Sequence, residues 1–393
     1  MREVIIARPV RTPVGKFGRS LRDVQVTELG ALVVGEAVRR AGIKPKEVDE
    51  VIIGNVISAG LGQNPARQAA LHAGLPPEIG AVTINKVCGS GLKAVMLAAQ
   101  AIRAGDAEVV VAGGMESMSN APYLIRYLRW GLKFGDASII DSMIRDGLQD
   151  AYHKYHMGVT GEIIAEKYGI TREEVDDFAL GSHRKAVKAI SEGGFKEETV
   201  PVQIPREDGS TGVLEVDECP RPDTSKAKLV KLKPVFKEDG ILTAGNSSQL
   251  SDGAAAVILA SEEKAQQLGI EPMARVVDYA SGGVKPELVM EAPIPTVKAL
   301  LRKTQLSVDD LDLVEHNEAY ASASLVVVRE LGLDMKKFNI KGGAVALGHP
   351  IGCSGARILT TLIYALKDSA RSRGLATLCL GGGNAVAMIV ERV

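Results

Sequence analysis

The chain is poor in cysteine, in net charge and in long apolar runs. Its four cysteines, Cys88, Cys219, Cys353 and Cys379, stand far apart and form no C-x-x-C pair. This argues against a zinc knuckle or a disulfide scaffold and makes a reducing cytoplasm the expected compartment. The 47 basic and 48 acidic residues nearly cancel. No overall field therefore draws the protein to nucleic acid or to an anionic membrane, and any anionic ligand has to be held by local groups. No apolar run reaches the ~18 residues that would span a bilayer. The opening stretch Met1-Arg2-Glu3-Val4-Ile5-Ile6-Ala7 is charged too early for the apolar region of a signal peptide and reads as a first strand. Core material, by contrast, is ample. With 393 residues, 46% of them hydrophobic, the chain is too long for one simple core and suits two or three packed units.

One design occurs twice. Glu47-Val48-Asp49-Glu50-Val51-Ile52-Ile53-Gly54 is a short acidic lead into an apolar strand, and Val308-Asp309-Asp310-Leu311-Asp312-Leu313-Val314-Glu315 repeats it 263 residues later. In the first half Cys88-Gly89-Ser90-Gly91-Leu92-Lys93-Ala94 then opens a helix of small and apolar residues. A buried strand ending in glycines follows, Glu108-Val109-Val110-Val111-Ala112-Gly113-Gly114. The second half answers with Gly352-Cys353-Ser354-Gly355-Ala356-Arg357, a helix, and Ala376-Thr377-Leu378-Cys379-Leu380-Gly381-Gly382-Gly383. Val51 to Ser90 spans 39 residues and Val314 to Ser354 spans 40, a self-similarity that indicates a duplicated unit. Strand–helix–strand alternation predicts an α/β fold of two packed halves, each a parallel or mixed sheet covered by helices, with ligands gathering at strand ends and helix N-termini. Residues 120–248 break the repeat with stretches rich in charge, Gly and Pro, among them Arg206-Glu207-Asp208-Gly209-Ser210 and Cys219-Pro220-Arg221-Pro222-Asp223. They predict an inserted loop domain that covers a site or builds a subunit contact. The expected division is 1–119 with about 249–271 for the first half, 120–248 for the insertion and 272–393 for the second half.

Candidate chemistry sits at the repeated turns. Cys88 lies at a helix start, where unpaired N–H groups and the helix dipole favour a thiolate; position alone equally suits a small buried cysteine. His349, in Gly348-His349-Pro350, holds nearly the same place in the second half. Pseudo-twofold packing of the halves predicts a Cys–His pair of the kind that activates a thiol, although a lone histidine is more often a core or surface residue. Cys379 precedes three glycines, whose backbone N–H groups can approach a ligand because no side chain intervenes. Asn317, in Asn317-Glu318-Ala319-Tyr320, is placed to orient a water or a carbonyl oxygen, or simply to form a turn.

Five stretches in order, Arg11-Thr12-Pro13-Val14-Gly15, Val87-Cys88-Gly89-Ser90-Gly91, Asn317-Glu318-Ala319, Gly348-His349-Pro350 and Cys379-Leu380-Gly381-Gly382-Gly383, resemble the motif set of the thiolase family from the first strand to the last. The resemblance implies duplicated halves with mixed five-stranded sheets packed together. It implies reversible Claisen condensation of two acyl-CoA molecules, foremost two acetyl-CoA to acetoacetyl-CoA, with thiolysis of longer 3-ketoacyl-CoA as the alternative. Cys88 would take the acyl group, His349 activate it, and Cys379 move the α-proton of the second thioester. The N–H groups of Cys88 and Gly381 would bind one oxyanion, and His349 with a water on Asn317 the other. Arg221, Leu232, Ala244 and Ser248 match coenzyme A positions, while His156, Met157, Met290 and Ala319 match residues that close a short acyl pocket. Coenzyme A thioesters enter as substrates, no permanent cofactor or metal is implied, and the family implies a homo-oligomer, a dimer or a tetramer. Lys226, Lys228, Lys231 and Lys233 are compatible with the ligand's phosphates or with a solvated face.

The sequence departs from the family pattern at Met290-Glu291-Ala292-Pro293, where Met-Gly-x-Gly-Pro is usual, at Tyr320, where Phe is usual, and in the loop Tyr123-Leu124-Ile125-Arg126-Tyr127-Leu128-Arg129-Trp130. Three other readings compete. A decarboxylating ketoacyl synthase would carry a Cys-His-His pattern, and a Cys–His hydrolase leaves Cys379 and the Arg221 to Ser248 segment without a purpose. A non-catalytic binding protein has no use for all four polar side chains.

Overall fold

The computed structural model of the chain describes residues 2–206 and 208–393. Five strands make the body of the first half's sheet: β1 (Val4–Arg11), β2 (Glu50–Gly54), β3 (Gly80–Ile84), β4 (Val109–Ser117) and β5 (Ser251–Ser261), in the spatial order β3-β2-β4-β5-β1, with the two-residue strand Gly15–Lys16 added beside the start of β5. The second half repeats this order with β6 (Ala274–Gly283), β7 (Leu313–His316), β8 (Arg373–Leu380) and β9 (Asn384–Arg392), arranged β7-β8-β9-β6. Its fifth place, equivalent to β3, shrinks to the parallel bridge Val314↔Phe338. β2 runs parallel to β3 and β4, β7 runs parallel to β8, and the remaining pairs are antiparallel. The duplicated mixed sheets expected from the sequence are thus present. They join edge to edge through only two residue pairs, Ile5↔Arg275 and Ile6↔Ala274.

Helices fill the remaining layers. α1 (Val26–Ala41) begins in a capping box between Gln25 and Glu28, and with α2 (Pro65–His72) it covers the outer face of the first sheet. Between the halves lie α3 (Ser90–Ala104) and a later helix that runs from Ile351 to Asp368, buried except for its last two residues, Lys367 and Asp368. A helix enclosed on all sides needs small residues where it meets another. A Cβ on Gly91 would stand 2.7 Å from the backbone nitrogen of Ala356 and 3.0 Å from the carbonyl oxygen of Gly352. The glycines of the two Ser-Gly pairs therefore let the helix starts cross at backbone contact distance.

Residues 120–248 add no strand to the central sheet; their strands form two separate hairpins, Tyr123–Ile125 with Ile139–Asp141 and Val202–Pro205 with Thr211–Leu214. Glu207 lies outside the described residues. Two helices, α4 (Met157–Tyr168) and α5 (Arg172–Ser191), start at the caps His156 and Thr171. Arg11 fastens this segment to β1: fully buried, it donates from Nε to Glu198 at 2.5 Å and from Nη1 and Nη2 to Asp217 at 2.7 and 2.9 Å. Removing one partner of such a buried pair strands the other charge in the interior, which typically costs about 3–5 kcal/mol. α6 (Pro293–Thr304) and α7 (Ala321–Leu331) pack on the outer face of the second sheet. The Ile351–Asp368 helix is α8 in this order.

Candidate active site

Cys88 stands in a turn under strain. Val87, a β-branched residue, has φ 48°, a left-handed conformation that costs about 1–3 kcal/mol and persists only where its surroundings fix it. Ser90 supplies that fixation, since its hydroxyl accepts from Lys86 N at 2.8 Å and donates to Val87 O at 2.6 Å. The side chain of Asn85 also accepts from Val87 N at 2.9 Å. The turn holds the Cys88 sulfur against two backbone N–H groups, its own and that of Gly381. Gly381 belongs to the turn after β8, where Gly382 and Gly383 have φ of 83° and 84°. Such values favour glycine, and a side chain on Gly383 would also meet the backbone of Lys285 at 3.0 Å.

The acidity of Cys88 differs from the sequence expectation. Burial pushes the thiol up to about 11, and the N–H groups of Gly381 and Cys88 offset only part of that rise. The nearby Glu116 carboxylate acts in the same direction as burial. Desolvation of a charge outweighs two hydrogen bonds here, so the resting sulfur is a neutral thiol. Cys88 nevertheless has the lowest value of the four cysteines and is the only one not fully buried.

His349 is held in one tautomer. Its Nδ1 lies 2.5 Å from Ser354 Oγ, and that hydroxyl donates onward to Pro350 O at 2.9 Å. The hydroxyl proton being used, Nδ1 carries the hydrogen and Nε2 keeps a free lone pair. Nε2 faces the amide nitrogen of Asn317 at 3.4 Å. Burial, reinforced by the charge of Arg357, pushes the imidazole down to about 3. A neutral ring whose Nε2 is met only by this long contact from the Asn317 amide can accept a proton. Asn317 Oδ1 is buried and has no hydrogen-bond partner among the described residues. Cys379 is buried beside Met290, sulfur to sulfur 3.6 Å, and its thiol is raised by burial and then by the charge of Cys88.

His349 opens onto a cavity of about 380 Å³, whose lining does not include Cys88, Asn317 or Cys379. His349 lines it together with His156, Arg221, Ala244, Ser248 and Tyr320. Met157, Met290, Ala319 and Cys379 pack in one cluster behind that wall. Leu232 does not line the cavity; it lies beside Gly245, partly exposed. Lys226 pairs with Glu173 at 2.8 Å and Lys228 with Asp223 at 2.6 Å, so both are engaged by surface carboxylates. Several residues here were not singled out from the sequence. Phe236, from the insertion, stacks on His156 with ring centroids 4.8 Å apart, and Lys16 and Phe17 reach the cavity from the turn after β1. Glu116 accepts from Asn55 Nδ2 at 2.9 Å, Val56 N at 3.1 Å, Ile57 N at 3.2 Å and Gly352 N at 2.9 Å, tying the first half to the start of α8. A single acid closing an otherwise apolar strand is the sequence signal that marks it.

Comparison with known proteins agrees with this geometry. The Thiolase, N-terminal domain family matches residues 4–263 and the Thiolase, C-terminal domain family matches residues 270–392. The chain belongs to the thiolase family. It is 53% identical to an acetyl-CoA acetyltransferase of Syntrophomonas wolfei subsp. wolfei over 99% of both chains, and 52% identical to one of Pseudomonas aeruginosa over 100% of both. It also matches the crystal structure of the Bacillus anthracis acetyl-CoA acetyltransferase with a TM-score of 0.98 at 46% identity, covering 100% of this chain and 99% of that one.

Proposed function

We propose that this thiolase condenses two acetyl-CoA molecules to acetoacetyl-CoA and free coenzyme A, reversibly, through an acetyl group carried on Cys88. The observation that carries the reading is the meeting of the Cys88 sulfur with two backbone N–H groups, its own and that of Gly381. In the first half-reaction the Cys88 sulfur attacks the thioester carbon while its proton passes to His349 Nε2. The bond from that carbon to the coenzyme A sulfur then breaks, and the leaving thiolate takes the proton back. The N–H groups of Cys88 and Gly381 stabilise the oxyanion that forms. In the second half-reaction Cys379 passes its proton to His349 Nε2 and, as the thiolate, removes a proton from the methyl group of a new acetyl-CoA. His349 and a water on Asn317 hold the enolate oxygen. The carbanion attacks the acetyl-Cys88 carbon, a carbon–carbon bond forms, and Cys88 leaves as the thiolate and takes the proton from His349 Nε2.

Arg221, Ala244 and Ser248 are assigned to coenzyme A, with Leu232 at the margin, and His156, Met157, Met290 and Ala319 to the acyl pocket. The domain division at 120 and 248 follows the same reading, with the insertion supplying the coenzyme A face. The test is acetoacetyl-CoA turnover followed at the enolate absorbance in both directions. Absence of turnover with acetyl-CoA or acetoacetyl-CoA would overturn the proposal.

We also infer a homo-oligomer in the cytoplasm. The hairpin Tyr123–Asp141 leaves Tyr123, Tyr127, Trp130 and Phe134 largely exposed, an apolar patch of a kind that monomers rarely carry. Among the described residues no helix is long and apolar enough to cross a membrane. Trp130 is the only tryptophan, so burial of the hairpin in an assembly is expected to blue-shift the emission. Trp130→Ser is expected to lower the mass measured by sedimentation; an unchanged mass would remove the hairpin from the interface.

A further inference from the structure

Tyr320 follows Ala319 at the start of α7, and the structure fixes both its backbone and its ring. Ser248 N donates to Ala319 O and Ala321 N donates to Asn246 O, each at 3.0 Å, and Ser247 bridges Tyr320. Phe236 meets the ring edge-on, with centroids 5.6 Å apart. Gly161 lies so close on another side that an added Cβ would stand 3.1 Å from the tyrosine Cγ. With its flanks occupied, the ring points its hydroxyl along one direction. Tyr320 lines the cavity that His349 and His156 also line, and the charges that bear on its phenol are those of the Cys88 and Cys379 thiols. Among the described residues the hydroxyl makes no hydrogen bond to protein.

A polar group in this position discriminates between acyl chains. An acetyl group is short, and with it in place the phenol can still be hydrated. Each added methylene extends the acyl group toward the phenol oxygen, among the apolar side chains of Met157, Met290 and Phe236 that pack in one cluster with Tyr320. An alkyl chain over the phenol strips water from it and offers no hydrogen bond in return. Burying a polar group without a partner is unfavourable, and the tenfold change in kcat/KM expected from it corresponds to about 1.4 kcal/mol.

We propose that the Tyr320 hydroxyl sets the upper acyl length of this enzyme, admitting acetyl and excluding longer alkyl chains. The inference rests on the thiolase activity proposed above and specifies its acyl pocket. Tyr320 is a specificity-determining residue; acid–base chemistry remains with His349 and Cys379.

The experiment is thiolysis of C4, C6 and C8 3-ketoacyl-CoA by the full-length wild type and Tyr320→Phe, read as ratios of kcat/KM. The ring and its packing are kept in the variant and only the oxygen is lost. The C6 to C4 ratio is expected to rise about tenfold, and the C8 to C4 ratio by at least as much. Ratios unchanged within about twofold would overturn the proposal. Rates that fall together at every length would also overturn it, assigning the hydroxyl to the transition state instead. A wild type that cleaves C4 normally while the ratios stay fixed removes the length role alone; a wild type inactive at every length removes the activity as well.

Discussion

The two halves use one backbone design to present two different groups. In the first, the strand-to-helix turn ahead of α3 presents Cys88; in the second, the turn ahead of α8 presents His349. Each helix carries a serine in its first turn, yet the two hydroxyls bind different things. Ser90 is spent on the backbone of Lys86 and Val87, so it holds a strained loop and never touches the reacting group. Ser354 is spent on the imidazole itself and relays it to Pro350 O. The comparison teaches that a duplicated scaffold acquires two functions through what its equivalent hydroxyl ties down. A sulfur needs only placement among N–H groups, whereas an imidazole must also have its tautomer fixed.

The largest effect tests the division of labour between the cysteines. Cys88→Ala removes the proposed nucleophile, so neither radiolabelled acetyl-enzyme nor acetoacetyl-CoA is expected. Cys379→Ser leaves Cys88 and His349 in place, so acetyl-CoA is expected still to acylate the protein and exchange with free coenzyme A. Condensation is expected to fall about 10²–10⁴-fold, the usual loss when an acid–base group is replaced by a poor one. Equal loss of acetylation in both variants, with circular dichroism intact, would show that the two thiols do not act in separate steps.

The next effect sharpens the contrast between the serines. Ser354→Ala frees the imidazole to rotate and to change tautomer, and misplacement of a reacting group by about 1 Å costs about 10²-fold. The loss is expected in kcat rather than in KM. Ser90→Ala removes two hydrogen bonds from a strained turn and is expected to cost about 1–3 kcal/mol in chemical denaturation. If Ser90→Ala lowered kcat as far as Ser354→Ala while leaving stability alone, the assignment of distinct tasks would fail.

Much of the site was legible in the sequence because each group sits at a strand end or helix start marked by glycine. The repeat of Val51 to Ser90 by Val314 to Ser354 identified the two halves, and the packing of Gly91 on α8 shows why small residues recur at those places. Asn317, His349 and Cys379 followed from the same turns. What could not be read was anything decided by the surroundings in three dimensions. The acidity of Cys88 was misjudged because the helix start is a local feature, while the burial that overrides it is supplied by distant segments. Glu116 and Phe236 were missed for the same reason. Glu116 carries only the weak signal of an acid closing an apolar strand, and Phe236 is an aromatic in a charged loop with no local pattern that places it beside the cavity. Lys226 and Lys228 looked available for phosphates, but nearby carboxylates already hold them.

The smallest effect concerns how the thiol of Cys88 becomes reactive. A thiol raised to about 11 is almost wholly protonated at neutral pH, and its thiolate fraction grows tenfold for each pH unit until the pKa is approached. Alkylation of Cys88 by iodoacetamide in the free enzyme is therefore expected to climb steadily from pH 7 to pH 10 without a plateau. Cys219 and Cys353, both at about 12 and both buried, are expected to react at least about tenfold more slowly at each pH, one unit of pKa being a factor of ten. Peptide mapping after brief exposure gives the order, and acetyl-CoA is expected to protect Cys88 alone. The slope discriminates between two ways of making a nucleophile. A plateau below pH 8 would mean that His349 already holds the proton in the resting enzyme, as an ion pair with the sulfur. A continuous rise means that the proton moves to Nε2 only as the thioester is attacked, when the N–H groups of Cys88 and Gly381 acquire an oxyanion to stabilise.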